Sequence, residues 1–69
     1  MKLSARNILK GMVVQIKADE VNSEVILELP GGAQIVSVIT RESAESLGLA
    51  PGKQAYAVIK ASNVMIAVD

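Results

Sequence analysis

The chain has no cysteine and no histidine among its 69 residues. These absences exclude disulfides, thiolate chemistry, the usual zinc ligands and the commonest general base. The carboxylates that remain are scattered over predicted surface positions. We therefore expect a protein that is not an enzyme, that needs no cofactor, and that supplies no side chain as a direct metal ligand.

Aromatic residues and net charge are also lacking. Tyr56 is the only aromatic residue, and seven basic residues balance seven acidic ones. A nucleic-acid role is disfavoured, because stacking platforms and a positive field are both missing. No apolar stretch approaches the roughly 20 residues of a membrane helix, and the start Met1-Lys2-Leu3-Ser4 lacks the apolar run of a signal peptide. We expect no membrane partner and a cytoplasmic protein.

Aliphatic residues, by contrast, are abundant. Hydrophobic residues make up 51% of the chain, and nearly all of them are Val, Ile, Leu, Ala or Met. So short a chain forms one small domain, here residues 1–69, and that domain buries only a modest fraction of its surface. The apolar surplus exceeds what one small core needs, so we expect an oligomer.

The order of apolar and polar residues predicts five strands and one helix. Alternating or β-branched runs place strands at residues 12–17, 24–29, 34–40, 54–60 and 64–68. Pro30-Gly31-Gly32 predicts a tight hairpin. Thr40 can cap a two-turn helix that ends at Leu47-Gly48. This order is typical of an all-β, five-stranded barrel related to the oligonucleotide/oligosaccharide-binding fold, with the helix between strands three and four.

Two short polar motifs carry the only chemistry, Ser4-Ala5-Arg6-Asn7 near the start and Lys60-Ala61-Ser62-Asn63 near the end. Each combines a cation, a small hydroxyl residue and amides, which together can hold a small oxyanion by charge and directed hydrogen bonds. The alternative is that Arg6 and Lys60 are solvated charges and that Ser62-Asn63 is merely a turn.

The two motifs, with the residues between them, resemble the molbindin (Mop) family. The likeness runs through Leu9-Lys10-Gly11, Gly31-Gly32, Leu47-Gly48-Leu49 and Ala57-Val58-Ile59-Lys60-Ala61-Ser62, and it spans nearly the whole chain. The resemblance implies a cytoplasmic protein for molybdenum storage and homeostasis. It also implies a barrel that assembles as a homohexamer, a trimer of dimers, with molybdate or tungstate held between subunits.

The resemblance also implies which residues hold the anion. It places Ser4, Ala5 and Arg6 on one side and Lys60 and Ala61 on the other. A serine is common in the family where this chain has Ala61, so only the backbone amide remains there, unless Ser62 substitutes. Asn7 and Ser62 are possible additional binding residues, and Asn7 is the one that we associate with a second class of site near the threefold axis.

The chemistry of the motifs fits such a ligand. Near neutral pH molybdate is a tetrahedral dianion that only accepts hydrogen bonds, so its site needs donors and cations but neither an acid nor a thiol. Two other functions stay open. One is an oligomerising structural or regulatory module with a vestigial anion site, and the other is a nucleic-acid-binding barrel, which the composition disfavours.

Overall fold

The computed structural model describes all 69 residues. Four strands form one antiparallel sheet in the order β3-β2-β1-β4. A six-residue helix follows β3, and a single 3₁₀ turn, η1, follows β4. The elements are β1 (Asn7–Ala18), β2 (Asn22–Glu28), β3 (Gln34–Thr40), α1 (Arg41–Ser46), β4 (Gln54–Ile59) and η1 (Ala61–Asn63).

The long strand β1 organises the sheet, because it pairs with β2 on one side and with β4 on the other. Its register against β2 shifts between Val13 and Gln15, where Val14 forms a β-bulge. Because the bulge takes up Val14, Val13 and Ile16 face the same side although they are three residues apart, and they stand opposite Leu27 and Val25 respectively. A bulge also bends its strand and increases the local twist, and the sheet accordingly curls into a half-barrel.

The turn between β2 and β3 forms as predicted. Gly31 and Gly32 have φ of 94° and 98°, which only glycine adopts without strain. The amide of Gly32 donates to the carbonyl of Leu29 at 3.0 Å. The turn fixes the register of β2 against β3, in which Leu27 faces Ile35.

Helix α1 also begins and ends where the sequence predicts. Thr40 is its N-cap, and its hydroxyl accepts a hydrogen bond from the amide of Ser43 at 3.1 Å. At the other end Gly48 takes φ of 65°. The amide of Leu49 then reaches back to the carbonyl of Ala44 at 3.2 Å, the bond typical of a glycine-terminated helix.

The core lies on the concave face of the sheet and is small. Val13, Val25 and Leu27 form its buried centre, with other aliphatic side chains packed around them. Gly11 is buried beside this centre, and a Cβ added there would lie 2.8 Å from the carbonyl oxygen of Glu28. Glycine at this position therefore allows β1 and β2 to approach closely.

Two predictions differ from the structure by more than the one or two residues by which the other strand ends differ. Strand β1 begins at Asn7 rather than at Met12, because residues 7–12 pair with β4 along their whole length. The predicted strand at 64–68 is not formed: these residues pair with no other segment of the chain. A strand needs a partner for its backbone groups, and in the single chain this segment has none. The sheet thus has four strands instead of five.

Many apolar side chains remain exposed. Only six residues are buried, and four of these are hydrophobic side chains of the core. In strand β3, Val36 and Val38 on the convex face are 59% and 66% exposed in the single chain. Neither of the two helices is long and apolar enough to cross a membrane.

Candidate oxyanion site

The register of β1 against β4 brings the two polar motifs together. Asn7, the first residue of β1, stands opposite Ile59, the last residue of β4. Arg6 directly precedes this pair and Lys60 directly follows it. Two segments that are more than fifty residues apart in the chain therefore meet at one corner of the sheet, and they do so within a single molecule.

The side chain of Asn7 fastens this corner. Its Nδ2 donates a hydrogen bond to the carbonyl oxygen of Ile59 at 3.3 Å, across the ends of the two strands. Asn7 as a possible anion-binding residue stays a prediction, and in the single chain its side chain makes this contact between the motifs. Sequence offers no local signal for this contact, because it depends on the register between distant strands.

The backbone at the corner offers unused donors. The amides of Ala61 and Ser62 open the 3₁₀ turn, and neither donates a hydrogen bond within the chain. This is the usual state of the first amides of a helical turn, which point away from the turn that they begin. The amides of Ala5 and Arg6 likewise have no partner in the chain. The corner therefore presents N–H groups from both motifs.

The two cations at the corner also lack acidic partners. The one ion pair within the chain joins Arg41 Nε to Glu45 Oε1, at 3.2 Å on the helix. Arg6 and Lys60 are both exposed, and neither forms a salt bridge. The chain as a whole is neutral, so the positive charge of Arg6 and Lys60 is confined to this corner of the surface. It is suited to a small dianion.

The remaining predicted residues line the same corner without forming contacts of their own. Ser4, Ala61 and Ser62 are exposed, Ala5 is half-buried, and the hydroxyls of Ser4 and Ser62 make no hydrogen bond in the chain. No group of three or more acidic residues is placed to hold a metal ion. The corner is a set of donors and positive charges with no acceptor-rich metal cage.

Comparisons with known proteins agree with this fold. The TOBE domain family matches residues 3–66. Molybdenum-pterin-binding protein 1 of Clostridium pasteurianum is 48% identical over 66 residues, which cover 96% of this chain and 97% of that protein. The structure of MopII from Clostridium pasteurianum is similar with a TM-score of 0.92 at 46% identity, over 97% of this chain and 100% of that one.

A longer relative is similar over part of its length. The cytoplasmic molybdate-binding protein ModG, solved with molybdate bound, has a TM-score of 0.91 and 55% identity over 94% of this chain, which spans 46% of the ModG chain. These neighbours confirm the fold predicted from sequence, a barrel related to the oligonucleotide-binding fold. The chain belongs to the TOBE domain family and, as its two motifs predicted, to the molbindin (Mop) proteins within it.

Proposed function

We propose that this protein binds molybdate or tungstate in the cytoplasm, without catalysing a reaction, and serves molybdenum storage and homeostasis. One observation carries the proposal: the register that pairs Asn7 with Ile59 sets two cations without acidic partners, Arg6 and Lys60, beside unused backbone amides. The relatives support it, since one is named for molybdenum-pterin binding and another was solved with molybdate bound.

The ligand follows from the donor set. A tetrahedral dianion accepts hydrogen bonds from every side and donates none near neutral pH, and the corner offers guanidinium, ammonium, hydroxyl and amide donors. Two positive charges balance the two negative charges of the anion, which lowers the cost of removing them from water. In this proposal Ser4, Ala5 and Arg6 contact one side of the anion, and Lys60 and Ala61 contact the other, with Asn7 and Ser62 as further candidates.

We further propose that the anion lies between subunits of a homohexamer, built as a trimer of dimers. The exposed aliphatic surface supports assembly, because a neutral chain with half its residues hydrophobic and only four hydrophobic core residues buried leaves large apolar patches in water. The exposed corner supports a shared site, because a second subunit would supply the desolvation that a surface ion pair lacks. Light scattering should give about six chain masses.

The decisive experiment is a calorimetric titration of the purified protein with molybdate, tungstate, sulfate and phosphate. We expect Arg6→Ala and Lys60→Ala each to weaken molybdate binding at least tenfold, since losing one partner of a desolvated charge pair costs about 2 to 5 kcal/mol. Lys53→Ala is the matched control, because Lys53 is an exposed lysine next to the opposite end of β4. Unchanged affinity in both site variants, or equal loss in the control, would contradict the site.

A mixing experiment then tests whether one anion is held by two chains. Arg6→Ala subunits and Lys60→Ala subunits are unfolded together, refolded and titrated. If Arg6 and Lys60 reach the anion from different chains, some mixed sites contain both residues and part of the binding returns. If both come from one chain, no mixed site contains both residues and binding stays as weak as in the single variants.

The rival function is a structural or regulatory interaction module whose anion site is vestigial. The exposed apolar faces favour this reading as much as they favour storage, since both need assembly. The same titration separates the two. An intact oligomer that releases no heat with molybdate or tungstate would favour the rival.

A further inference from the structure

We propose that Asn7 is a positioning residue of the oxyanion site: its side chain fixes the second polar motif, residues 60–63, against the first before any anion binds. Its Nδ2 donates to the carbonyl oxygen of Ile59 at 3.3 Å. This role deepens the proposed function and rests on it, because the site that Asn7 positions is the one formed by Arg6 and Lys60. The class of ligand is still a small tetrahedral oxyanion.

The second motif has few contacts of its own to the rest of the chain. Residues 60–69 are all exposed, so no buried side chain anchors them. In the turn η1 the amides of Asn63 and Val64 donate to the carbonyls of Lys60 and Ala61, at 2.9 Å and 3.2 Å. Both bonds are local, and no side chain caps the turn. The position of the motif is therefore set where it joins β4, at Ile59.

Asn7 supplies the one side-chain hydrogen bond at this junction. All other side-chain hydrogen bonds in the chain lie between residues 19 and 45, at the turn after β1 and at helix α1. Asn7 is half-buried and opens β1, although asparagine is depleted in strands. Strand formation therefore does not explain an asparagine here. A contact that joins the ends of β1 and β4 does explain it.

The charges around the junction favour separation of the two motifs. Arg6 precedes Asn7 and Lys60 follows Ile59, so the two cations flank the bonded pair from the two strands. Neither cation has an acidic partner, and like charges repel when no anion lies between them. The hydrogen bond from Asn7 opposes this repulsion. It thus keeps the donors of both motifs together in the anion-free protein.

A corner that is ordered before binding should bind its anion more tightly, because less ordering remains to be done on binding. The net contribution of one neutral hydrogen bond corresponds to a change of roughly two- to tenfold in a dissociation constant. We therefore expect loss of the Asn7 carboxamide to weaken molybdate binding by about that factor. This is a smaller loss than we expect for Arg6 or Lys60, whose charges face the anion.

NMR order parameters and calorimetry together test this role on the full-length protein. The variant is Asn7→Ala. The matched control is Gln34→Ala, which also removes a carboxamide from the first residue of a strand. Gln34 is exposed, opens β3 and makes no side-chain hydrogen bond. The order parameters of the Ala61 and Ser62 amides are measured without any anion, and molybdate is then titrated.

In the anion-free protein we expect these two amides to be ordered in the unaltered chain and in the control. In Asn7→Ala their order parameters should fall from about 0.85, typical of rigid backbone, to below about 0.6. The core amide of Val13 should not change. The dissociation constant for molybdate should rise roughly two- to tenfold in Asn7→Ala alone.

Unchanged order parameters in Asn7→Ala would overturn the proposal even if the affinity falls, because a side chain that only contacts the anion does not order the anion-free corner. Loosened amides with unchanged affinity would overturn it as well, because the order of the corner would then not limit binding. If the unaltered chain binds no molybdate, the proposed function fails. The order parameters still show whether Asn7 fixes the second motif.

A second variant separates positioning from folding. Valine cannot donate to the carbonyl of Ile59, but it is enriched in strands, so Asn7→Val should fold at least as well as the unaltered chain. We expect an equal or higher melting temperature together with loosened amides at Ala61 and Ser62 and weaker molybdate binding. An Asn7→Val variant that matches the unaltered chain in order and in affinity would overturn the proposal.

Discussion

The middle strands of the sheet and its two edge strands are built from the same kinds of residue, but they differ in burial and in pairing. Strands β1 and β2 are paired with a neighbouring strand on each side, and they supply the buried centre of the core. Strands β3 and β4 are equally rich in aliphatic residues, yet each has a free edge and an exposed apolar face. The middle strands therefore find their backbone and side-chain partners within one chain, whereas the edge strands leave backbone groups and apolar side chains without partners in the single chain.

The strongest test of this difference is to shorten one aliphatic side chain in the middle of the sheet and one at its edge. Leu27→Ala opens a cavity at the buried centre of β2, and large-to-small core changes of this type cost about 2 to 5 kcal/mol. Val38→Ala on the exposed face of β3 is the matched edge variant. Urea unfolding should show the large loss for Leu27→Ala.

The edge variant then reports what covers β3. A loss within about 0.5 kcal/mol means that Val38 stays in water, as is usual for surface substitutions. A loss that approaches the cost of a core change means that another copy covers this face. A Leu27→Ala variant as stable as the unaltered chain would contradict the division between middle and edge.

The second variant tests how tightly the middle is packed. Gly11→Ala adds a methyl group that would meet the carbonyl oxygen of Glu28 at 2.8 Å, and that oxygen belongs to the backbone. Overpacking of this kind costs about 1 to 3 kcal/mol, because the two strands must move apart. Thermal unfolding measures the loss. The control is Ala33→Gly, which removes one methyl group in the exposed turn after β2. It should change the melting temperature far less.

A third variant concerns helix α1, which links the two edge strands β3 and β4 in the chain. Thr40 ends β3 and caps α1, and Thr40→Ala leaves the amide of Ser43 without its hydroxyl acceptor. Such a loss costs about 0.5 to 2 kcal/mol. Thr40→Ser keeps the oxygen and serves as the control, so its urea midpoint should lie close to that of the unaltered chain. Equal losses in both variants would show that the methyl group, and not the cap, matters.

The smallest effect lies in the turn between β1 and β2. Asp19 accepts hydrogen bonds from the amides of Asn22 and Val21, at 2.6 Å and 2.8 Å, and these bonds hold the pKa of its carboxyl below the ordinary value of 3.8. A carboxylate with a depressed pKa stabilises the fold above its ordinary pKa, and that stability is lost as pH falls through the lower folded value. Asp19→Asn should therefore be slightly less stable at neutral pH.

The pH dependence checks that origin. The difference in melting temperature between Asp19→Asn and the unaltered chain should shrink as the pH is lowered from about 5 to below 3.8. A difference that stays constant over that range would mean that the charge of Asp19 contributes nothing.

Sequence predicted those elements whose signals are local. The bounds of β3, the cap at Thr40 and the glycine at Gly48 follow from turn chemistry and alternation within a few residues. The predicted start of β1 was wrong, because Lys10-Gly11 has the local pattern of a break. The strand β4 that pairs with residues 7–12 lies some fifty residues further along the chain. The segment at 64–68 has the composition of a strand, and composition does not show whether a partner is present.

For the candidate site, too, the sequence shows the local features but not those that depend on strand register. The residue types of the two motifs are visible in the sequence, and they suffice to predict a small oxyanion as the ligand. That Arg6 and Lys60 meet at one corner of one chain depends on the register of Asn7 against Ile59, and no local pattern encodes it. The role of Asn7 as a fastener between strand ends was hidden for the same reason.

The bulge at Val14 is one residue that determines how strongly β1 bends. Without the extra residue, Val13 and Ile16 would still face the concave side, because plain alternation with Gln15 would place them there. The core would keep its members, but β1 would lose the bend that a bulge imposes. Deleting Val14 should therefore flatten the sheet and widen the gap between β3 and β4. The width of the opening between β3 and β4 can therefore change by deletion at this position while the core side chains stay the same.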